Sequence, residues 1–389
     1  MNTVRFGVVG VGIMGTIHCQ NIIKNSGKLV SLTCLCDIDP KITRTKADEF
    51  HVRGFTNSAD LFESGLCDAV IIATPHYWHP VLTVQAARAG LHVLCEKPLA
   101  VSVGPARAMI AECKKRKVAL GAVLHQRTRS IMLKMKQLID AGTIGKIYRV
   151  EMVCSNWYRT QIYYDTGKWR GTWDGEGGGV LLNQAPHSLD LFQWIGGMPN
   201  RVHATLSTRM HRIEVENTAH LVCQYDQPTR VGSFFATTAE APGKEELTVV
   251  GDKGTLVASR GKIQFGKLSK PISRALPATK LQPSSEWSEI DFDASTPQGH
   301  MEVVKAFARH LCNGTPMIAT GQDALNELEL SNSAYLSGYG GDWVDIPVDA
   351  EAFDRLIVKL IRQKSTGRGG NIRAHANREF GKLFPKKAR

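Results

Sequence analysis

No stretch of this 389-residue sequence approaches the ~20 consecutive apolar residues that a membrane-spanning helix needs. Its first residues, MNTVRFGVVGVG, turn apolar quickly yet lack a cationic start, a long apolar stretch and a small-residue cleavage site, so the expectation is a cytoplasmic protein with no membrane partner. Cysteine is scattered and odd in number: of nine, only Cys34 and Cys36 lie close, at strand spacing. Reduced structural thiols are therefore expected, with no disulfide framework and no metal site. Acidic residues nearly vanish at the end, where Arg362 to Arg389 holds nine Lys or Arg against Glu379 alone and so carries +8 of the formal +12. No RNA-binding motif accompanies that charge, which favours a solvated or subunit-clasping tail over a nucleic-acid partner. Internal repeats are also missing. What remains, 43 % hydrophobic and 22 % charged, is an ordinary globular composition long enough for two cores.

The first core reads as a nucleotide-binding unit. Residues 4–10, VRFGVVG, lead directly into Gly10-Val11-Gly12-Ile13-Met14-Gly15 and then a helical stretch, Thr16 to Lys24. Strand, GxGxxG turn and helix are the context of the dinucleotide fingerprint: Gly10 permits the tight turn, Gly12 lets the backbone approach a pyrophosphate, and Gly15 lets the helix pack on the strand. A second strand, LVSLTCLCD, ends at Asp37, where a carboxylate accepts from an adenosine ribose and repels a 2′-phosphate, favouring NAD over NADP. The competing reading of Asp37 is a plain turn residue in DIDP. Helices at Lys41–Phe50, Ser58–Ser64, His79–Ala89 and Val103–Lys115 alternate with strands at Val52–Phe55, Cys67–Pro75, His92–Pro98 and Val118–Leu124. This alternation predicts a doubly wound parallel sheet with ligands at the carboxyl ends of its strands. Ile13 and Met14 in the turn, and Thr74, Pro75, His79, Glu96 and Lys97 at the strand ends, are thus candidate cofactor contacts.

Downstream, strand-like segments at 148–155, 201–209, 219–226 and 231–239, and a hairpin turn at Gly251-Asp252-Lys253-Gly254, predict a second, sheet-based half. Helical patterns follow at Met301–Leu311, Asp323–Leu336 and Ala352–Ile361, and the Pro-, Ser- and Lys-rich residues 266–286 read as an exposed loop. The organisation expected is residues 1–125, 126–362 and a basic tail, 363–389. Between the halves, SNWYRTQIYYDTGKWRGTWDGEGGG is dense in aromatics. Trp157, Tyr158, Tyr163, Tyr164, Trp169 and Trp173 suit a sugar-facing pocket wall, with Arg159 and Arg170 for hydroxyls, a carboxylate or a sulfonate; the alternative is that the rings fill the interdomain core. Gln126 and Arg127, just past a strand end, are further pocket candidates. In GGGVLLNQAPHSLDLFQWIGG (177–197), the glycines let the backbone pass close to another surface, taken to be the cofactor, and a helix starting near Asn183 would put 183, 187, 190 and 194 on one face.

Together the runs GVVGVGIMG, ATPHYWHP, AGLHVLCEKPLA, LIDAGTIGKI and GGGVLLNQAPHSLDLFQWIGG resemble the Gfo/Idh/MocA oxidoreductases, over nearly the whole chain to about residue 362. The resemblance implies an N-terminal Rossmann domain and a C-terminal α/β domain on a large open, mainly antiparallel sheet. It also implies a homodimer or homotetramer, and oxidation or reduction of a secondary hydroxyl of a sugar or cyclitol with NAD. The family's catalytic lysine falls on Lys97 and its histidine on His187. Where many relatives carry Asp, this chain has Asn183, which cannot accept a proton. His187 is then the expected base and Lys97 the group that steadies the reacting oxygen; Asn183 orients the hydroxyl or His187, and Asp190 anchors the helix. The alternative enzyme is an NAD-dependent glycosidase that oxidises transiently, eliminates the substituent of an anionic sugar glycoside and recycles its cofactor. A non-catalytic sensor would be expected to have lost Lys97 or His187, and both are present.

Overall fold

The computed structural model describes residues 3–27, 29–226, 230–275 and 283–384. Six strands, β1 (Val4–Val9), β2 (Val30–Cys36), β3 (Arg53–Phe55), β4 (Ala69–Ile72), β5 (His92–Cys95) and β6 (Leu120–Ala122), form one sheet in the order β3-β2-β1-β4-β5-β6. Every pairing in it is parallel. Continuous apolar runs such as Ala69–Ile72, fully buried, follow from helices covering both faces. The strand order reverses between β1 and β4, and the crevice there opens at the carboxyl ends of both strands.

The second sheet holds nine strands: β7 (Ile147–Cys154), β8 (Arg201–Ser207), β9 (Thr218–Gln224), β10 (Val231–Thr237), β11 (Glu245–Gly251), β12 (Gly254–Ser259), β13 (Lys262–Leu268), β14 (Ser285–Ile290) and β15 (Val344–Asp345). Their order is β14-β13-β12-β11-β7-β10-β9-β8-β15, antiparallel except where β7 meets β10. Alternation decides which face is covered: Val150, Met152, Leu221, Phe234 and Leu247 are buried, while Val222 and Val231 on the other face are exposed. The helices Pro186–Gly196 and Gly321–Gly340 belong to the covered side, and Gly196 lies so close that a Cβ would meet Val150 Cγ1 at 2.7 Å. The second of these helices starts in a reciprocal cap between Thr320 and Asp323. An isolated bridge from Thr320 to Gly121 ties it to the edge of the first sheet.

Two expectations about the chain's periphery are corrected. Residues 266–286 are no simple loop: β13 runs to Leu268, a short helix spans Ile272–Ala275 and β14 begins at Ser285, while 276–282 lie outside the described residues. The basic end is folded onto the body as far as residue 384. The helix Ala350–Lys364 runs past residue 362, Thr366 donates to Glu214 Oε1 at 2.6 Å (N) and 2.7 Å (Oγ1), and Arg373 N donates to Asp174 O at 3.1 Å. The helix Ile372–Leu383 then packs on the helix His79–Arg88, with Ala376 fully buried and Arg88 Nη2 donating to Leu383 O at 2.7 Å. Buried apolar contact overrides a composition that reads as solvated.

Candidate active site

β1 delivers the chain into Gly10 at φ +86°, where a Cβ would lie 2.8 Å from the Ala73 carbonyl oxygen. Gly15 is tighter, since a Cβ there would come within 1.8 Å of the Gly10 carbonyl oxygen. Gly12 faces open space, and the helix Ile13–Lys24 that follows has no side-chain cap, which leaves its first N–H groups and positive dipole end for an anion. Ile13 is largely exposed and Met14 half-buried beside this opening. After β2, the Asp37 carboxylate accepts from Val11 N–H at 3.0 Å and Asp39 N–H at 3.1 Å, which fixes it at the rim of the turn. After β4, the buried Thr74 hydroxyl has no protein partner among the described residues, and Pro75 leads into the 3₁₀ turn His76–Trp78. His79 is used differently from a cofactor contact: its ring nitrogens lie 2.8 Å from Pro98 O and 2.8 Å from Thr74 O, so it ties together the loops after β4 and β5. An uncapped glycine turn and a carboxylate at the end of β2 suit the diphosphate and ribose of a dinucleotide.

β5 ends in Glu96 and Lys97, whose surroundings separate their tasks. Glu96 is buried, lies 2.7 Å from His18 Nε2 and accepts Lys97 N–H at 3.2 Å. Burial works against its charge, yet the His18 hydrogen bond and nearby positive groups hold its carboxyl down at about 2. Glu96 is thus a buttress beneath Lys97. The Lys97 ammonium donates to the Asn183 main-chain oxygen at 2.6 Å and to Asn183 Oδ1 at 3.3 Å. Burial lowers its pKa from the usual lysine value, opposed by Glu96, Glu176 and Glu327.

Asn183 is not helical, contrary to expectation. Its N–H bonds to Gly179 O at 2.9 Å in a turn, and the helix begins at Pro186, because proline's ring disfavours a helical residue before it and removes a donor. The glycine run before it approaches protein rather than leaving room for a cofactor: a Cβ on Gly177 would meet Val101 at 2.5 Å, on Gly178 Tyr335 Oη at 2.3 Å, and on Gly179 the Glu216 carbonyl oxygen at 1.7 Å. Glu216 accepts from Gly179 N, Leu181 N and Tyr335 Oη, fixing this turn from below.

His187, near the start of the helix, packs edge-on to His125 with ring centroids 4.3 Å apart, and His125 stacks on His300 at 3.9 Å. Burial, reinforced by neighbouring imidazoles and Lys97, holds His187 well below the ordinary histidine value and His125 at about 3. Both rings are therefore neutral near pH 7, and His187 Nδ1 is buried without a protein partner among the described residues. A neutral imidazole can take a proton. One turn on, Asp190 accepts from Arg127 Nε at 2.8 Å and Nη2 at 2.6 Å, and Arg127 Nη1 donates to Asp323 at 3.0 Å. Arg127, 3 % exposed, is therefore an anchor between helices and not a pocket contact. Gln126 is held between His125 and Arg129.

The aromatic segment divides in two. Trp173 is fully buried with Nε1 donating to Glu214 O at 3.0 Å, and Tyr164 is buried with its hydroxyl 2.8 Å from that of Thr238. Both fill the core and leave the pocket wall. Trp157 and Tyr158 are exposed, Trp169 packs edge-on to His76, and Arg159 lies over Trp157. The ring at the site is Tyr163, which carries Arg159 at 4.7 Å and Arg170 at 4.6 Å from its centroid. Its hydroxyl accepts from Arg170 Nη1 at 2.6 Å, Asn183 Nδ2 at 3.3 Å and Gln184 Nε2 at 3.2 Å. Glu176, which sequence reasoning passed over, accepts from Asn183 Nδ2 and, at 2.6 Å, from Gly171 N. Burial raises its carboxyl to about 7. Glu327 is buried near Lys97 with both oxygens unpartnered among the described residues, and burial raises it well above the usual carboxyl value.

Comparison with known proteins places this geometry. Residues 4–123 match the model of an oxidoreductase family with an NAD-binding Rossmann fold, and residues 132–257 match the GFO/IDH/MocA C-terminal domain. D-Apiose dehydrogenase of Rhizobium rhizogenes is 26 % identical over 361 residues, 89 % of this chain and 98 % of its own. Myo-inositol 2-dehydrogenase of Thermotoga maritima is 27 % identical over 194 residues, 50 % of this chain and 55 % of its own. The crystal structure of the WlbA dehydrogenase from Bordetella pertussis in complex with NADH and UDP-GlcNAcA is 28 % identical, with a TM-score of 0.75 over 89 % of this chain and 100 % of that one. The chain belongs to the Gfo/Idh/MocA oxidoreductases, with an NAD-binding Rossmann domain followed by the family's C-terminal domain.

Proposed function

We propose that this protein oxidises a secondary hydroxyl of a sugar-like substrate with NAD, using His187 as base and Lys97 as the donor to the reacting oxygen. The observation that carries this reading is the meeting of Lys97, from the end of β5 in the NAD-binding sheet, with Asn183, four residues before His187 in the second half. NAD, held at the glycine turn of residues 10–15 and by Asp37, would supply the hydride acceptor for the substrate carbon. His187, neutral and with a free ring nitrogen, takes the hydroxyl proton. Lys97 hydrogen-bonds the oxygen and stabilises its developing negative charge, while Asn183 aims the ammonium. Asp37 receives the adenosine ribose and disfavours a 2′-phosphate.

The substrate carries an anionic group. Arg159 and Arg170 flank Tyr163, no carboxylate is bonded to either guanidinium among the described residues, and Arg159 Nε is buried without a partner. Two guanidinium groups on one tyrosine, neither bonded to a carboxylate among the described residues, suit a uronate or a sugar phosphate. The Bordetella pertussis relative, solved with UDP-GlcNAcA, supports an acidic sugar. The test is purified protein with NAD against neutral sugars, cyclitols, uronic acids and aryl glycosides of each, following reduced cofactor and released aglycone together. One reduced cofactor per sugar oxidised, with uronates preferred, is expected. Sustained aglycone release with no net reduced cofactor would overturn the reading in favour of a redox-assisted glycosidase.

A further inference from the structure

The side chain that meets the Lys97 ammonium from position 183 is an amide and carries no negative charge. The structure shows what stands behind it. Asn183 turns Oδ1 toward the Lys97 ammonium, 3.3 Å away, and Nδ2 toward Glu176 Oε1. Flipping the amide would set a donor against the ammonium and an acceptor against the carboxylate, so the two charged neighbours together leave one orientation. Glu176 is itself fixed by Gly171 N–H at 2.6 Å, and its own main-chain oxygen lies 2.9 Å from His76 Nδ1. It is 1 % exposed, which makes its charge costly unless it is paired and hydrogen-bonded.

We propose that Glu176 is the positioning carboxylate of Lys97: it locks the Asn183 amide with its oxygen toward the ammonium and supplies, one side chain further back, the negative charge that position 183 lacks. The inference rests on the role of Lys97 proposed above. Around Glu176 stand the Gly171 N–H, the Asn183 amide, Arg170 and Lys97; around Lys97 stand Glu96, Glu176, Glu327 and Arg170. Among these, Glu96 is ionised and held by His18, burial raises Glu327 well above the usual carboxyl value, and Glu176, raised to about 7, is the group whose charge changes near neutrality. Ionised, it holds Lys97 as the ammonium. Protonated, it still accepts from Asn183 but no longer opposes the burial that drives the proton from Lys97.

The coupling is reciprocal and is read in the full-length protein without cofactor or substrate. With carbon-13 at lysine Cε and glutamate Cδ, titration is followed by nuclear magnetic resonance in the wild type, Glu176→Gln, Glu176→Asp and Lys97→Met. Glu176→Gln is expected to lower the Lys97 titration by about one pH unit or more, and Glu176→Asp, which keeps the charge, to restore part of it. Lys97→Met is expected to move the Glu176 carboxyl upward by a similar amount while leaving Glu216, which also titrates at about 7 but bonds Tyr335 and main-chain N–H groups, in place. The Lys97→Met arm needs no change at Glu176. A Lys97 titration indifferent to Glu176→Gln, or a Glu176 carboxyl indifferent to Lys97→Met, overturns the proposal. Wild-type turnover in Lys97→Met would sink the role of Lys97 in the reaction and leave the measured coupling standing.

Discussion

The ammonium of Lys97 lies 2.6 Å from the main-chain oxygen of Asn183, so a group from the nucleotide-binding sheet is held by the turn that precedes the His187 helix in the second half. This contact crosses the division between the domains. It sets a lysine near the helix that carries His187, whose ring burial holds well below the ordinary histidine value. In Lys97→Met, turnover should fall by roughly 10²–10³ while NAD affinity, measured by fluorescence titration, changes by less than about tenfold. An equal loss in both would make Lys97 a cofactor contact only.

Asp37 gives a second prediction, about cofactor choice. Its carboxylate is held by two main-chain N–H groups at the rim of the glycine turn. Asp37→Ser should weaken NAD and narrow the preference over NADP by tenfold or more, read as the ratio of kcat/KM for the two cofactors. An unchanged ratio would reduce Asp37 to a turn residue.

Arg127 separates structure from recognition. Its guanidinium is buried and bonded to Asp190 and Asp323. Arg127→Ala strands the Asp190 carboxylate and should cost about 3–5 kcal/mol in denaturant unfolding. A stable Arg127→Ala protein with a raised KM for substrate would return Arg127 to the pocket.

Glu216 predicts a pH dependence of stability. Burial raises its carboxyl to about 7 in the folded chain, above the value of about 4.3 for an unfolded glutamate. The folded state therefore binds the proton more tightly, and the contribution, complete below the unfolded value, is lost as pH rises through about 7. The melting temperature of the wild type relative to Glu216→Gln should fall between about pH 4.5 and pH 7.5. A constant difference would show that Glu216 does not titrate in that range.

Much of the fold is legible in the residues themselves. Gly10, Gly12 and Gly15 occupy the turn their spacing requires, and the strand ends at Asp37 and Glu96-Lys97 stand at the carboxyl edge of one parallel sheet. Less legible are features decided by packing. Tyr163 and Tyr164 are adjacent and chemically alike, and only the fold settles that the first meets Asn183 while the second bonds Thr238 in the core. Glu176 sits in a glycine-rich stretch with no period to mark it, and the signal it offers is an acid immediately before three glycines and seven residues before Asn183. The basic residues after 362 read as solvated because composition does not reveal that Ala376 is buried against the nucleotide-binding domain.

The proposed oxidation depends on a hydride leaving a carbinol carbon of an acidic sugar for the nicotinamide. The most direct test uses a substrate from the uronate panel with deuterium on the carbon bearing the hydroxyl, and mass spectrometry of both products after a single turnover. The expected result is one deuterium in the reduced cofactor for each keto sugar formed, with formation slowed in Lys97→Met and His187→Ala. Deuterium retained in the sugar, with the cofactor unreduced at the end of the turnover, would contradict it.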